Sequence, residues 1–506
     1  MSTAKKFAGQ TAIYGISTMV SRLIAFILTP LYARALPVTG NGVLTAMYGY
    51  ASVINAVLAF GMETTFFRYL NKHENNKQQV YNNAFGAIIA LCIVFLVFSL
   101  LFLDSIINFL LAGAAKDHAD YSFYVKCFLF ILITDAFCVI PFAKIRADGK
   151  PLRYGMIKFL NIILVLSLNL FFLFAIPYIL KHELPGYQWF ASWYRPKWVG
   201  YVFLSNTFAS IATIFLLLPE ILKLRLKFSM AMFKEMFVYS WPVLIANISF
   251  IVNESIDKAM LKQMLPANIN DHEVGIYGMC AKIALFLSIF VQAFRLGAEP
   301  FFFSHAKNKN AGETYARIMN YFVITVSIIC VALVANVDIL AYIIVGKHTA
   351  IVNNHIVENA YWSGIGVVPP LLFGYLSLGI YMNLSIWYKL SDQTKYGLYI
   401  SGIGAILTIV LNWIFIPKYS YMASAWISFA AYALMMILSY LWGQKNYPIP
   451  YNLKKNLTYI IISGALVYLS FSVFKRNIFI GNGLLILFGL GAIYAERKEL
   501  KVIFSR

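Results

Sequence analysis

Arg22 and Lys282 are the residues whose chemistry first demands an explanation. At 1.5 Å of rise per residue, Arg22 lies roughly 16 Å into an apolar stretch that starts near Thr11, and Lys282 roughly 12 Å from the outer end of another. Neither head group snorkels comfortably to water from that depth. A cation held there calls for a buried carboxylate such as Asp135 or for an anionic ligand. A diphosphate concentrates negative charge; Arg meets it with a planar fork of donors and Lys with a point charge. Arg22 and Lys282 are therefore candidate cavity residues for an anionic ligand. Arg295 is a third, although Glu299 follows it by one helical turn and that spacing favours a local pair.

The acidic candidates are fewer. Asp135, in the inner half of the fourth apolar stretch, is the candidate for a protonatable or cation-binding carboxylate coupling to H+ or Na+, with a structural ion pair as the alternative. Glu254, Asp257 and Lys258 sit together near the outer end of the seventh stretch. They read as an outer gate or ion site, or more simply as a Glu254–Lys258 pair at i,i+4. Glu63 and Glu299 occupy the same place in a repeat, Gly61-Met62-Glu63-Thr64-Thr65-Phe66-Phe67 and Gly297-Ala298-Glu299-Pro300-Phe301-Phe302-Phe303, both of the form G-x-E-x-x-F-F. Both are gating candidates, with Arg68 and Arg295 the nearest bases in sequence. The outer loops carry no D-x-D, H-E-x-x-H or G-x-S-x-G arrangement, and the five cysteines show no C-x-x-C spacing. No catalytic residue, metal site or cofactor is expected.

These residues must be positioned inside lipid. The chain has 506 residues, 60% hydrophobic and 12% charged, with 42 Phe, 33 Tyr and 9 Trp, where a soluble domain carries about 25% charged residues. One aqueous core cannot bury that much apolar surface. A span needs about 20 mainly apolar residues, and fourteen can be placed, centred near Ala25, Val53, Val94, Ile131, Leu168, Ile211, Phe250, Phe286, Ile328, Leu372, Ile406, Ala430, Leu466 and Leu487. The fold class is thus an all-α polytopic membrane protein. Of the 41 Lys and Arg, 26 fall on the side of the termini, 11 on the opposite side and four within spans, so both termini are expected to be cytoplasmic. A formal charge of +20 is explained by these short basic loops, and no nucleic-acid partner is expected. The outer loops are short. One, near His182 to Trp198, gathers Tyr187, Trp189, Phe190, Trp193, Tyr194 and Trp198, which suits an interfacial anchor or a stacking platform for sugar rings.

The two copies of the repeat lie six spans apart, an even number, so the repeat is parallel. This predicts two six-helix lobes plus two C-terminal helices: residues 1–219, a basic linker over 220–236, residues 237–443, and the last pair over 444–506. That plan, together with Lys6-Phe7-Ala8-Gly9-Gln10-Thr11-Ala12-Ile13-Tyr14-Gly15, Thr29-Pro30-Leu31-Tyr32-Ala33-Arg34, Val274-Gly275-Ile276-Tyr277, Ala293-Phe294-Arg295 and Asn383-Leu384-Ser385-Ile386-Trp387-Tyr388-Lys389-Leu390, resembles the polysaccharide transporter branch of the multidrug/oligosaccharidyl-lipid/polysaccharide exporter superfamily. It is similar to O-antigen and capsule flippases of the Bacteroidetes type. The resemblance implies a flippase of the bacterial inner membrane that moves an undecaprenyl-diphosphate-linked oligosaccharide from the inner to the outer leaflet by alternating access. It also implies neighbours such as a glycan polymerase or other assembly proteins. A lipid II flippase shares the cationic cavity, a multidrug exporter calls for a carboxylate-dominated one, and a polytopic polymerase or glycosyltransferase calls for a larger outer loop.

Overall fold

The computed structural model describes residues 26–113, 118–225, 227–306, 308, 310–352, 355–391 and 393–497. Arg22 lies outside them, as does the expected first span centre, Ala25. Residues 26–35 form a helix, α1, followed by α2 (Val38–Lys72), α3 (Glu74–Leu101), α4 (His118–Ala147), α5 (Pro151–Lys181), α6 (Gly200–Ile221), α7 (Met230–Met264), α8 (Asn270–His305), α9 (Ala311–Ala335), α10 (Ala360–Leu390), α11 (Lys395–Asn446), α12 (Leu453–Val473) and α13 (Ile478–Ala495). From α2 onward these are the twelve helices long and apolar enough to cross a membrane among the described residues. Lipid offers no partner for a bare backbone N–H or C=O, so long apolar runs close their hydrogen bonds internally as helices.

The helix α11 holds two of the expected spans. Ser420 breaks it with φ 49° and ψ −141°, and the hydroxyl of Ser424 donates to Asn412 Oδ1 at 2.7 Å. Twelve residues of straight helix would separate those groups by about 18 Å, so the halves fold back on each other. With that hairpin counted as two, thirteen of the fourteen expected centres fall on helix. The spans are all α, as expected, and the connection after α9 adds a smaller feature outside them. It contains a short helix, Val337–Val345, and an antiparallel hairpin in which Thr349 pairs with Glu358 and Val352 with His355.

By packing, the chain divides into two units, Met1–Gly275 and Ile276–Arg506. This boundary falls after α7, beyond the basic 220–236 stretch, because α7 runs along α2. Thr65 and Ser240 share a hydrogen bond of 2.7 Å, the Tyr69 hydroxyl donates to the carbonyl of Glu235 at 2.8 Å, and Lys72 pairs with Glu235 at 2.8 Å. At the other end of α2 a Cβ on Gly42 would overlap the carbonyl oxygen of Asp271, and one on Gly275 would overlap that of Val38. Glycine there lets the start of α8 lie directly on the α2 backbone. In the second unit α12 and α13 are fastened by Lys455 and Tyr459, both bonded to Glu496. Reciprocal amide bonds of 3.1 Å between Asn336 and Asn482 tie α13 to the end of α9.

Candidate functional site

The first unit encloses a cavity of about 380 Å³ between α2, α4, α5 and α6. From α2 come Asn55 and Glu63, from α4 Thr134, Asp135, Phe142 and Arg146, from α5 Tyr154, Lys158 and Asn161, and from α6 Ser210 and Thr213. The lining is graded along α4. Arg146 marks one end, where its guanidinium meets the Glu63 carboxylate and lies 5.0 Å from the Phe67 ring. One turn deeper Phe142 carries the ammonium of Lys158 on its face, 4.2 Å from the ring centroid. Asp135 comes about 10 Å further along the helix axis, in a zone of short polar groups. There Asn161 donates to Thr213 Oγ1 at 3.0 Å and to the carbonyl of Ala209 at 3.2 Å.

The charges of this cavity are unequal in their partners. Glu63 neutralises Arg146 directly. Asp135 is exposed in mid-span because it faces the cavity, and among the described residues neither it nor Lys158 has an opposite charge within ion-pair distance. One cation rests on an aromatic face and one carboxylate stands among neutral donors and acceptors. Such a lining offers a ligand one anion site and one site for hydroxyl or ammonium donors.

The second unit repeats the ion pair without the space. Glu299 accepts from Lys389 at 2.7 Å and lies 4.0 Å from Arg295 Nε. Lys389 closes α10 as Arg146 closes α4, so in each unit the repeat glutamate meets a base 83 or 90 residues later. Around Glu299, however, Val291, Phe294, Met382 and Ile386 leave only about 10 Å³. The two glycines of the motif also differ. Gly61 has φ 63° at a break in α2, whereas Gly297 lies inside continuous helix with open space where a Cβ would be.

Set against the sequence candidates, the structure brings Asp135 and Glu63 into one cavity and Arg295 and Glu299 into one corner of the other unit. Lys282 is half-buried on α8 and lines neither place. Of the pairings expected nearby in sequence, Arg295–Glu299 at i,i+4 is present at 4.0 Å, and two others are corrected. Glu63 takes Arg146 and not Arg68, which lies 4.1 Å above the Tyr239 ring. Lys258 pairs with buried Asp257 at 2.9 Å, and its ammonium also donates to the backbone carbonyl of Glu254 at 3.1 Å. Sequence position alone places Arg146 and Lys158 among the interfacial bases, since each lies close to a helix end, yet both line the cavity. Lys262, a loop lysine by the same reasoning, is 1% exposed. Its ammonium reaches Asp271 at 2.7 Å, the Tyr121 hydroxyl at 3.1 Å and Asn270 Oδ1 at 3.4 Å. In the aromatic loop, Tyr194 and Phe172 sandwich Tyr201 at 5.2 and 5.0 Å, and Arg195 grips Asp120 through two bonds of 2.6 and 2.9 Å. Trp189 is left exposed.

The sequence signature described as "Polysaccharide biosynthesis protein" matches residues 7–298. The chain belongs to that family. It is built like membrane transporters: a structure titled "Lipid II flippase MurJ, inward closed conformation" superposes with a TM-score of 0.73 at 12% identity, over 97% of this chain and 100% of that one. An inward-facing multidrug resistance MATE family transporter of the MOP superfamily gives 0.63 at 12% identity over 86% and 94%. The MATE multidrug transporter DinF-BH gives 0.58 at 15% identity over 88% and 97%. These likenesses establish the fold of this multi-pass membrane protein. No curated protein sequence matches the chain.

Proposed function

We propose that this polysaccharide biosynthesis family member is a flippase that carries an undecaprenyl-diphosphate-linked oligosaccharide from the inner to the outer leaflet of the bacterial inner membrane by alternating access. The observation that carries the reading is the polar cavity inside the first membrane unit, where Lys158 has an aromatic seat and no carboxylate at ion-pair distance among the described residues. A cation kept within a span without such a partner is costly unless a ligand anion uses it, and a diphosphate headgroup supplies that anion. The balance of Lys158, Arg146, Asp135 and Glu63 does not make the cavity carboxylate-dominated, as a site for cationic drugs calls for. The excess of basic residues on the side of the termini supports cytoplasmic ends.

The test is to deplete the protein in its host and to complement it with wild type, Lys158→Ala or Lys158→Arg. Depletion should leave full-length lipid-linked oligosaccharide in the inner leaflet, protected from a periplasmic glycan-modifying enzyme. Lys158→Arg should restore export and Lys158→Ala should not, at equal abundance in the membrane. Normal export of every lipid-linked glycan after depletion would overturn the proposal.

A further inference from the structure

Resting on the flippase reading, we propose that Asp135 selects the sugar nearest the diphosphate: it accepts hydroxyl or ammonium donors and rejects a uronic acid or other acidic sugar at that position.

The cavity holds one internal ion pair and two further charges among its described lining residues. Glu63 and Arg146 satisfy each other, which leaves Lys158 and Asp135 as the charges open to a ligand among the described lining residues. They differ in setting. Lys158 stands on Phe142, a seat that holds an ammonium while leaving its donors free for phosphate oxygens. Asp135 stands deeper on α4 among Thr134, Asn161, Ser210 and Thr213. An ionised carboxylate is an acceptor only, with two oxygens that can each take hydroxyl protons. Its neighbours add amide and hydroxyl groups, the usual complement to a pyranose rim, and Tyr154 adds a ring.

The separation along α4 suits the size of such a ligand. From Phe142, under Lys158, to Asp135 is seven residues, or about 10 Å of rise. That spans a phosphate and the far edge of the sugar attached to it. The cavity volume of about 380 Å³ admits one or two sugar rings and no long glycan, so recognition is confined to the reducing-end residue. A carboxylate on that residue would confront Asp135, and among the described residues the cavity lining holds no cation besides Lys158 and Arg146. Lys158 is committed to the phosphate, and Arg146 is already engaged at the other end of the cavity. Two carboxylates at close range in a partly desolvated site repel strongly enough that one must protonate or leave. An amino sugar gains an ion pair in the same place, and a neutral sugar gains hydrogen bonds.

The experiment uses the purified full chain in nanodiscs and three soluble analogues with the same citronellyl diphosphate anchor, bearing glucosamine, glucose or glucuronic acid. Binding is measured by microscale thermophoresis to wild type and to Asp135→Asn, a variant that keeps the shape and one acceptor oxygen. Wild type should bind the glucosamine and glucose analogues at least about tenfold more tightly than the glucuronic acid analogue. Asp135→Asn should shrink that ratio to within about twofold, chiefly by strengthening the glucuronic acid analogue. Equal binding of all three by wild type, or a ratio that survives in Asp135→Asn, overturns the selectivity while leaving a flippase of different sugar specificity. If no analogue binds and only a lipophilic cation such as tetraphenylphosphonium does, the selectivity and the flippase reading fall together.

Discussion

Replacing Lys262 by methionine removes an ammonium of matching length and leaves its carboxylate stranded. Lys262 is 1% exposed and donates to Asp271, Tyr121 and Asn270 within 3.4 Å, so α7, α8 and α4 meet at this one head group. Breaking a buried pair from one side costs about 3–5 kcal/mol, since the surviving charge stays out of water without its partner. Asp271 retains some access, with a side chain 15% exposed, and the Tyr121 hydroxyl still donates to it at 3.3 Å. Both features favour the lower end, about 3 kcal/mol. For a unit of this size each kcal/mol moves the thermal midpoint by about 2 °C, giving a fall of about 6 °C. The assay is thermal unfolding of the detergent-solubilised chain, followed by loss of the monodisperse peak in size-exclusion chromatography. The double variant Lys262→Met with Asp271→Asn should recover most of the loss, because no lone charge remains. A midpoint within about 1 °C of wild type for Lys262→Met, or a double variant no better than the single one, would refute the account of this cluster.

Gly42→Ala should be among the most damaging small substitutions, lowering yield and midpoint sharply in the same assay, because its Cβ would collide with the backbone of Asp271 and not with a side chain that can turn away. Gly61→Ala and Gly297→Ala form a matched pair: the first, at φ 63°, should cost about 1–2 kcal/mol, and the second should be neutral or slightly stabilising as a helix interior gains alanine. Single cysteines in a cysteine-free background should react with an impermeant thiol reagent on intact spheroplasts at Gln188 and not at Lys227, with reaction at Lys227 alone reversing the proposed orientation.

The lengths of apolar runs are properties of the chain itself, and they locate the helices from α2 to α13 well. Partner choice is different, because it depends on which helix faces come together. Glu63 has Arg68 five residues away in sequence, yet its partner arrives on α4. Lys158 lies seven residues after Pro151 at the start of α5, and a basic residue so near a helix end reads as interfacial. Only the approach of Phe142 shows that it is seated within the bundle. Lys262 misleads in the same way: the turn between α7 and α8 looks like a surface loop until Asp271 and Tyr121 close over it. Asp135 is legible because a lone carboxylate in the middle of an apolar stretch has few other uses. The G-x-E-x-x-F-F motif marks two matching ion pairs, but the room beside each depends on bulky neighbours far away in sequence. Of the two, the first unit's pair has space beside it and the second unit's does not.

The seat of Lys158 on Phe142 also bears on how fast this site could work. An ammonium resting on a ring is held by about 1–2 kcal/mol, whereas one locked to a buried carboxylate must give up about 3–5 kcal/mol before it can engage anything else. The difference of roughly 2 kcal/mol corresponds to more than about tenfold in rate if it enters the barrier to exchange. An arriving anion would therefore meet a cation already half released, and on its departure the cation would return to a resting place that competes only weakly for it. Such a site is suited to repeated loading and emptying, where a buried salt bridge in the same position would resist both.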